Sequence, residues 1–224
     1  MKKILATFPV SPGHPHLHRN VVFASWSLLS DTRYHITPDI PAERPFENNL
    51  HHIVNRFVDQ GFDYWLSMDC DNPPMKNPLD LVELDKDIMG FPTPVWHYTG
   101  KPKEPPIYWN GYDYVPSKDA YREHTPKTGL QRVDAIGTGC FMIARRVFEC
   151  PEMRYQPFNR IFKDDGTVYK GNDMAFCERA RANGFEIWAH YDYPCFHFRH
   201  VELNEVVKAF DSLGRPNMDG GGNQ

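Results

Sequence analysis

The chain has 224 residues, a formal net charge of -4 and 41% hydrophobic residues. That is enough for one sizeable core, and it excludes a global basic field of the kind that drives nonspecific nucleic-acid binding. Five cysteines without Cys-x-x-Cys spacing argue against both a disulfide framework and a zinc ribbon, and predict a reducing, cytoplasmic setting.

The start, Met1-Lys2-Lys3 and then Ile4-Leu5-Ala6-Thr7-Phe8, briefly imitates a secretory leader, but Pro9 and Pro12 cut the apolar run short. It reads as a first buried strand, Ile4 to Phe8. A Pro/Gly/His segment carrying His14, His16 and His18 follows and reads as a solvated loop. The run NVVFASWSLL, Asn20 to Leu29, has helical spacing with Asn20 as its cap. A polar, proline-marked connection from Thr37 to Pro45 leads to a helix over Phe46 to Gln60, with Leu50, Ile53, Val54, Phe57 and Val58 on one face and Gly61 ending it. Phe62 to Met68 is the next strand. The stretch from Phe91 to Leu130 has no sustained periodicity and reads as short strands plus a mobile loop over a site. Val133 to Ala144 reads as one Gly-kinked strand running into a basic turn at Arg145-Arg146. Asn172 to Asn183 is a helix closed by Gly184, Phe185 to Ala189 a last strand, and Asn204 to Leu213 a terminal helix. Residues 1–216 form one domain in this reading, and 217–224 a flexible Gly-rich tail. No run approaches the length needed to span a membrane.

Strands alternating with helices predict an α/β fold whose mostly parallel central sheet is flanked by helices, with its ligand site beyond the carboxyl ends of the strands. Ser67-Met68-Asp69-Cys70-Asp71-Asn72-Pro73-Pro74 stands at such an end. Like charges this close resist burial unless they share a cation. In an extended stretch Asp69 and Asp71 converge while Cys70 points to the core. Carboxylate oxygens suit magnesium or manganese, whereas the plainer alternative is an Asx-rich turn leading into the prolines.

Four segments in order, DYWLSMDCD, DAIGTGCFMIARRVFE, YKGNDMAFCERARANGFEIW and YPCFHFRHVEL, resemble the GT-A glycosyltransferases, especially small family-2-like and phage-encoded members, from Ile4 to about Leu203. The resemblance implies a single GT-A (Rossmann-like) domain that moves a sugar from a nucleoside-diphosphate sugar to an acceptor hydroxyl with inversion. It implies a divalent cation held by Asp69, Asp71 and a late His. The Cys195-Phe196-His197 spacing selects His197, with His200 in reserve, and an imidazole ligand leans toward manganese over magnesium. Asp69 also meets the donor, and Thr7, Phe8 and Pro9 seat the nucleotide base. Arg44, Asn49 and Gly139 are further donor contacts, and Gly137 with Gly139 allows close approach to a sugar. Asp173 is the general base. Asn172 replaces the family's Glu before it, and capping of the helix by Asn172 or Asp173 is the structural alternative. A helix N-terminus is expected to keep that base ionised but weak. Arg145 and Arg146 are either phosphate partners or a solvated turn. Trp96, Tyr98, Trp109, Tyr112 and Tyr114 either recognise the acceptor or fill a loop-rich core. The acceptor is a glycan, a protein or a modified DNA base, and a phage-encoded enzyme would work in the host cytoplasm. Two other classes stay open: a haloacid-dehalogenase-like phosphohydrolase, which lacks its usual Gly-Thr after the second Asp, and a non-catalytic nucleotide-sugar or glycan-binding module.

Overall fold

The computed structural model describes residues 1–9, 19–41, 46–97 and 107–213. In chain order the elements are β1 (Lys3–Thr7), α1 (Arg19–Leu29), β2 (His35–Asp39), α2 (Phe46–Asp59), β3 (Tyr64–Met68), a 3-10 turn (Pro78–Leu84), β4 (Ile88–Gly90), β5 (Pro94–Trp96), β6 (Ile107–Trp109), β7 (Gly111–Val115), a short 3-10 turn (Pro116–Lys118), β8 (Ala120–Glu123), β9 (Leu130–Val133), β10 (Ala135–Ile136), β11 (Cys140–Ala144), α3 (Arg145–Glu149), α4 (Pro151–Arg154), β12 (Ile161–Phe162), β13 (Val168–Lys170), α5 (Asn172–Ala182), β14 (Ile187–His190) and α6 (Leu203–Leu213). The His14/His16/His18 run, Arg44, Tyr98 and the 217–224 tail lie outside the described residues.

Seven strands form the central sheet in the order β2-β1-β3-β11-β4-β14-β9. β1 runs parallel to β2 and β3, and β4 parallel to β14, whereas β11 enters antiparallel between β3 and β4 and β9 closes the edge antiparallel to β14. The mostly parallel sheet expected from the alternation of elements is therefore present. Its central strands β3 and β11 are buried at every position, because both faces are covered. Alternate side chains divide between two cores. Leu5 and Trp65 face α2, α3 and α5, while Ile4, Tyr64 and Leu66 face α1 and the Pro78–Leu84 turn. In α2 the helical repeat puts Leu50, Ile53, Val54 and Phe57 in the first core, each fully buried side chain worth roughly 1.5–3 kcal/mol. Gly61 ends α2 at φ +69°, a conformation that a Cβ penalises.

Several segments differ from expectation. β2 runs into the start of what reads as a connection from Thr37 to Pro45, because His35-Ile36-Thr37-Pro38-Asp39 is an edge strand without apolar alternation. Val133–Ala144 is three strands rather than one: β9 and β11 belong to the central sheet, and β10 pairs with β7 in a separate three-stranded sheet. Asn20 is the second residue of α1, not its cap.

Candidate active site

β1, β2, β3, β4 and β14 all point their carboxyl ends to one edge. α5 leads into the start of β14 at the opposite edge and so runs away from this one, which puts its N-terminus and the segment after β3 on the same side of the sheet. Between β3 and β14 stand β11 and β4, so three strand spacings separate them, about 14 Å. This edge gathers the acidic pair, His197 and Asp173.

β3 ends in a tight turn, not in the extended stretch expected from alternation. The Asp69 N–H donates to the Gly139 carbonyl at 2.8 Å, and the Asn72 N–H donates back to the Asp69 carbonyl at 3.0 Å. Cys70 accordingly stays half-buried instead of pointing into the core. Dense surroundings and, second, the neighbouring Asp71 charge push the Asp69 carboxyl well above the usual carboxylate range. A positive charge shared with Asp71 would reverse both effects.

The imidazole arrives on the last crossing of the chain. Residues 194–198 are stitched between the acidic turn and the start of β5. The Phe198 N–H donates to the Asp71 carbonyl at 2.9 Å, the Phe196 N–H to Pro73 at 2.9 Å and the Cys195 N–H to Pro92 at 2.9 Å. His197 Nδ1 lies 2.7 Å from the Pro94 carbonyl. A carbonyl only accepts, so Nδ1 carries a proton and Nε2 is the ring nitrogen left facing the acidic turn. That Nε2 stands 3.7 Å from Asp71 Oδ2, too long for a hydrogen bond and suited to two ligands of one ion. Backbone fixing of the opposite ring nitrogen is the usual support of a metal-binding imidazole. His200 is exposed and has no such partner in the described structure. Among the described residues no three His, Cys, Asp or Glu side chains form a ready-made metal cluster. The side chains that the fold does bring together here are Asp71 and His197, and Asp69 does not complete a three-residue cluster with them.

Asp173 sits in the first turn of α5. The N-cap is Gly171, and no side chain caps the helix. Asp173 Oδ1 accepts from the next N–H, of Met174, at 2.8 Å. Burial nevertheless outweighs this hydrogen bond, and the net direction is upward from the ordinary carboxylate value. The helix N-terminus therefore does not leave Asp173 a weak base, as expected from position alone. Burial and then Tyr108, with Asp173 third, push the Tyr112 hydroxyl up, which places that phenol within the field of the Asp173 carboxylate.

The remaining predicted residues divide. Thr7 is buried and its hydroxyl is spent inside the core, accepting from Trp65 Nε1 at 2.8 Å and donating to Ser67 Oγ at 3.1 Å. Phe8 and Pro9 follow β1 at the site edge, where the Phe8 N–H donates to the Asp39 carbonyl at 2.9 Å. Asn49 is buried in the first turn of α2, which also points at this edge. Gly139 has a reason other than a sugar: a Cβ there would meet Asn72 Oδ1 at 1.7 Å, and one at Gly137 would meet Asn110 Nδ2 at 2.4 Å. Arg145 and Arg146 lie at the opposite end of the sheet, where the Arg145 N–H donates to Asp63 and Arg146 pairs with Asp85 and Asp87. They are not phosphate partners of this edge. Trp109 and Tyr112 pack on the first core, and Tyr114 lies under Arg181 with its hydroxyl donating to Asp119. Sequence reasoning missed two supports, the Pro94 carbonyl and Asn72. The need for glycine at 139 is the trace that Asn72 left in the sequence.

No protein-family model and no curated protein sequence matches the chain. Solved structures do share its architecture. A197 from STIV is 15% identical, with 89% of this chain and 87% of that one covered at a TM-score of 0.51. The catalytic domain of Drosophila β1,4-galactosyltransferase 7, in complex with xylobiose, is 14% identical, with 98% and 84% covered at a TM-score of 0.50. At such identities the likeness shows the fold, and the fold is GT-A. Among the described residues no helix is long and apolar enough to cross a membrane.

Proposed function

We propose that this chain is a metal-dependent glycosyltransferase that moves a sugar from a nucleoside-diphosphate sugar to an acceptor hydroxyl with inversion. The observation that carries the reading is His197 Nε2, held 3.7 Å from the Asp71 carboxylate by the Nδ1 contact to the Pro94 carbonyl, at the carboxyl edge of a GT-A sheet. Asp69, Asp71 and His197 would hold the cation, and the mixed carboxylate and imidazole set favours manganese over magnesium. A divalent cation supplies positive charge to the diphosphate on which negative charge builds as the bond to the sugar breaks.

The chain's own groups do the rest. The end of β1, through Phe8, Pro9 and the backbone at Thr7, seats the nucleotide, and Asn49 borders it. Asp173 takes the proton of the acceptor hydroxyl as that oxygen bonds to the anomeric carbon, and the nucleoside diphosphate departs with the electrons of the broken bond. Its raised proton affinity suits a base working near neutral pH. A saccharide acceptor agrees with the likeness in fold to a galactosyltransferase crystallised with xylobiose.

The test is thermal stability against nucleoside diphosphates and their sugars, with and without manganese. A ligand at about 100 times its Kd adds about 2.7 kcal/mol, or roughly 5–10 °C for a domain of this size. One nucleotide class should stabilise only with metal, and Asp71→Ala should abolish the shift. No nucleotide-dependent shift under any metal condition overturns the proposal.

A further inference from the structure

Between the first turn of α2 and the β12–β13 hairpin lies an open recess of about 390 Å³, lined by Glu47, Asn48, Asn159, Arg160 and Phe162. Phe162 is 59% exposed, so its ring adds little to either core and is free to serve as a surface. The walls around it are fixed. Arg160 Nε meets Glu47 Oε1 at 2.6 Å, tying the hairpin's base to α2. Asn159 Nδ2 donates to Gln156 Oε1 at 2.6 Å, which leaves the amide oxygen as an acceptor. Asn48 adds a second carboxamide at the exposed rim.

One aromatic face surrounded by planar hydrogen-bonding groups has the chemistry that a pyranose requires. Its C–H face lies on a ring, and its vicinal hydroxyls give and accept paired hydrogen bonds from carboxamide, carboxylate and guanidinium. A phosphate fits less well, because Glu47 already neutralises Arg160. The recess is also joined to the candidate base. Ile161 pairs with Lys170 across the hairpin, about 5 Å away, and Asp173 follows three residues later, so hairpin and base lie within roughly 15 Å by chain reach.

We infer that this recess is a saccharide subsite for the acceptor, holding a sugar residue next to the one whose hydroxyl is presented to Asp173. The inference rests on the transferase reading and narrows its acceptor to a glycan of at least two sugars.

The experiment is saturation-transfer NMR on the whole chain with xylobiose, cellobiose and lactose as probes, and with uridine and inorganic phosphate beside them. At least one disaccharide should receive saturation, with the signal falling about tenfold in Phe162→Ala and in Asn48→Ala. Both side chains are exposed, so neither change opens a cavity in the core. The signal should persist in Asp71→Ala. Absence of any disaccharide signal, or a signal indifferent to both recess variants, overturns the subsite. So does a signal from uridine or phosphate that depends on Phe162. The metal-dependent thermal shift with nucleotides is measured in the same Phe162→Ala protein. If that shift persists while the disaccharides fail, the subsite alone is lost; if disaccharides bind and no nucleotide does, the transferase reading is lost.

Discussion

The two ends of the central sheet use the same carboxylates in opposite ways. At the amino end Arg146 reaches Asp85 at 2.8 Å and Asp87 at 2.5 Å, the Tyr64 hydroxyl donates to Asp85 at 2.5 Å, and Lys2 meets Glu83 at 2.8 Å. The Tyr64 hydrogen bond and then Arg146 hold Asp85 below the usual carboxylate range. At the carboxyl end Asp69 and Asp173 are both displaced upward, chiefly by burial. Ionised carboxylates stabilise the fold at the first end and burden it at the second. Such a burden is tolerated where a ligand relieves it, as the proposed function requires of this edge.

Asp71→Ala breaks the contrast most severely. It removes one of the two groups aimed at a common ion, and transfer is expected to fall by at least about 10²–10³-fold in kcat/KM, measured with the donor that the thermal shift identifies. Asp173→Asn should lower transfer about 10²–10⁴-fold and yet stabilise the protein at neutral pH. The sign follows from the upward displacement. Below the free value of 3.8 the group is protonated whether or not the chain is folded, and folding stability is lost as pH rises through the folded value. Urea unfolding at pH 7.5 should favour the variant, with the advantage gone near pH 4; an equal gain at both pH values would contradict the burial account. Gly139→Ala should cost about 1–3 kcal/mol and weaken the metal-dependent thermal shift, because its Cβ would sit 1.7 Å from Asn72 Oδ1. Asn72→Ala in the same chain should restore most of that stability. The smallest effect belongs to the amino end, where Arg146→Ala costs about 1 kcal/mol in urea unfolding and leaves transfer within about twofold.

What could be read from the sequence followed the range of the interaction. α2, β3 and α5 were legible because periodicity, glycine stops and polar first turns are local. The Asp69/Asp71 pair and Asp173 could be located for the same reason, each standing at the end of a legible element. β4 has three residues, Ile88 to Gly90, and the antiparallel insertion of β11 depends on partners far away in sequence, so neither leaves a local pattern. Side-chain direction was the other gap. Thr7 was located at the correct edge, but its hydroxyl turns inward to Trp65 and Ser67. Arg145 and Arg146 follow β11, whose reversed direction carries them to the far end of the sheet. A strand assumed parallel puts them beside a phosphate.

The stitched segment at residues 194–198 also sets an order in time. His197 and Asp71 are more than half the chain apart, and their meeting depends on backbone bonds to Pro73, Pro92 and Asp71 that only the last crossing makes. As the polypeptide emerges during synthesis, β1, β3 and β11 all precede the imidazole by a long stretch of chain and can pair before it appears. Under the proposed function, prematurely terminated chains ending before Pro194 would carry a nearly whole sheet and both aspartates but no imidazole, so only the last crossing completes the proposed donor set.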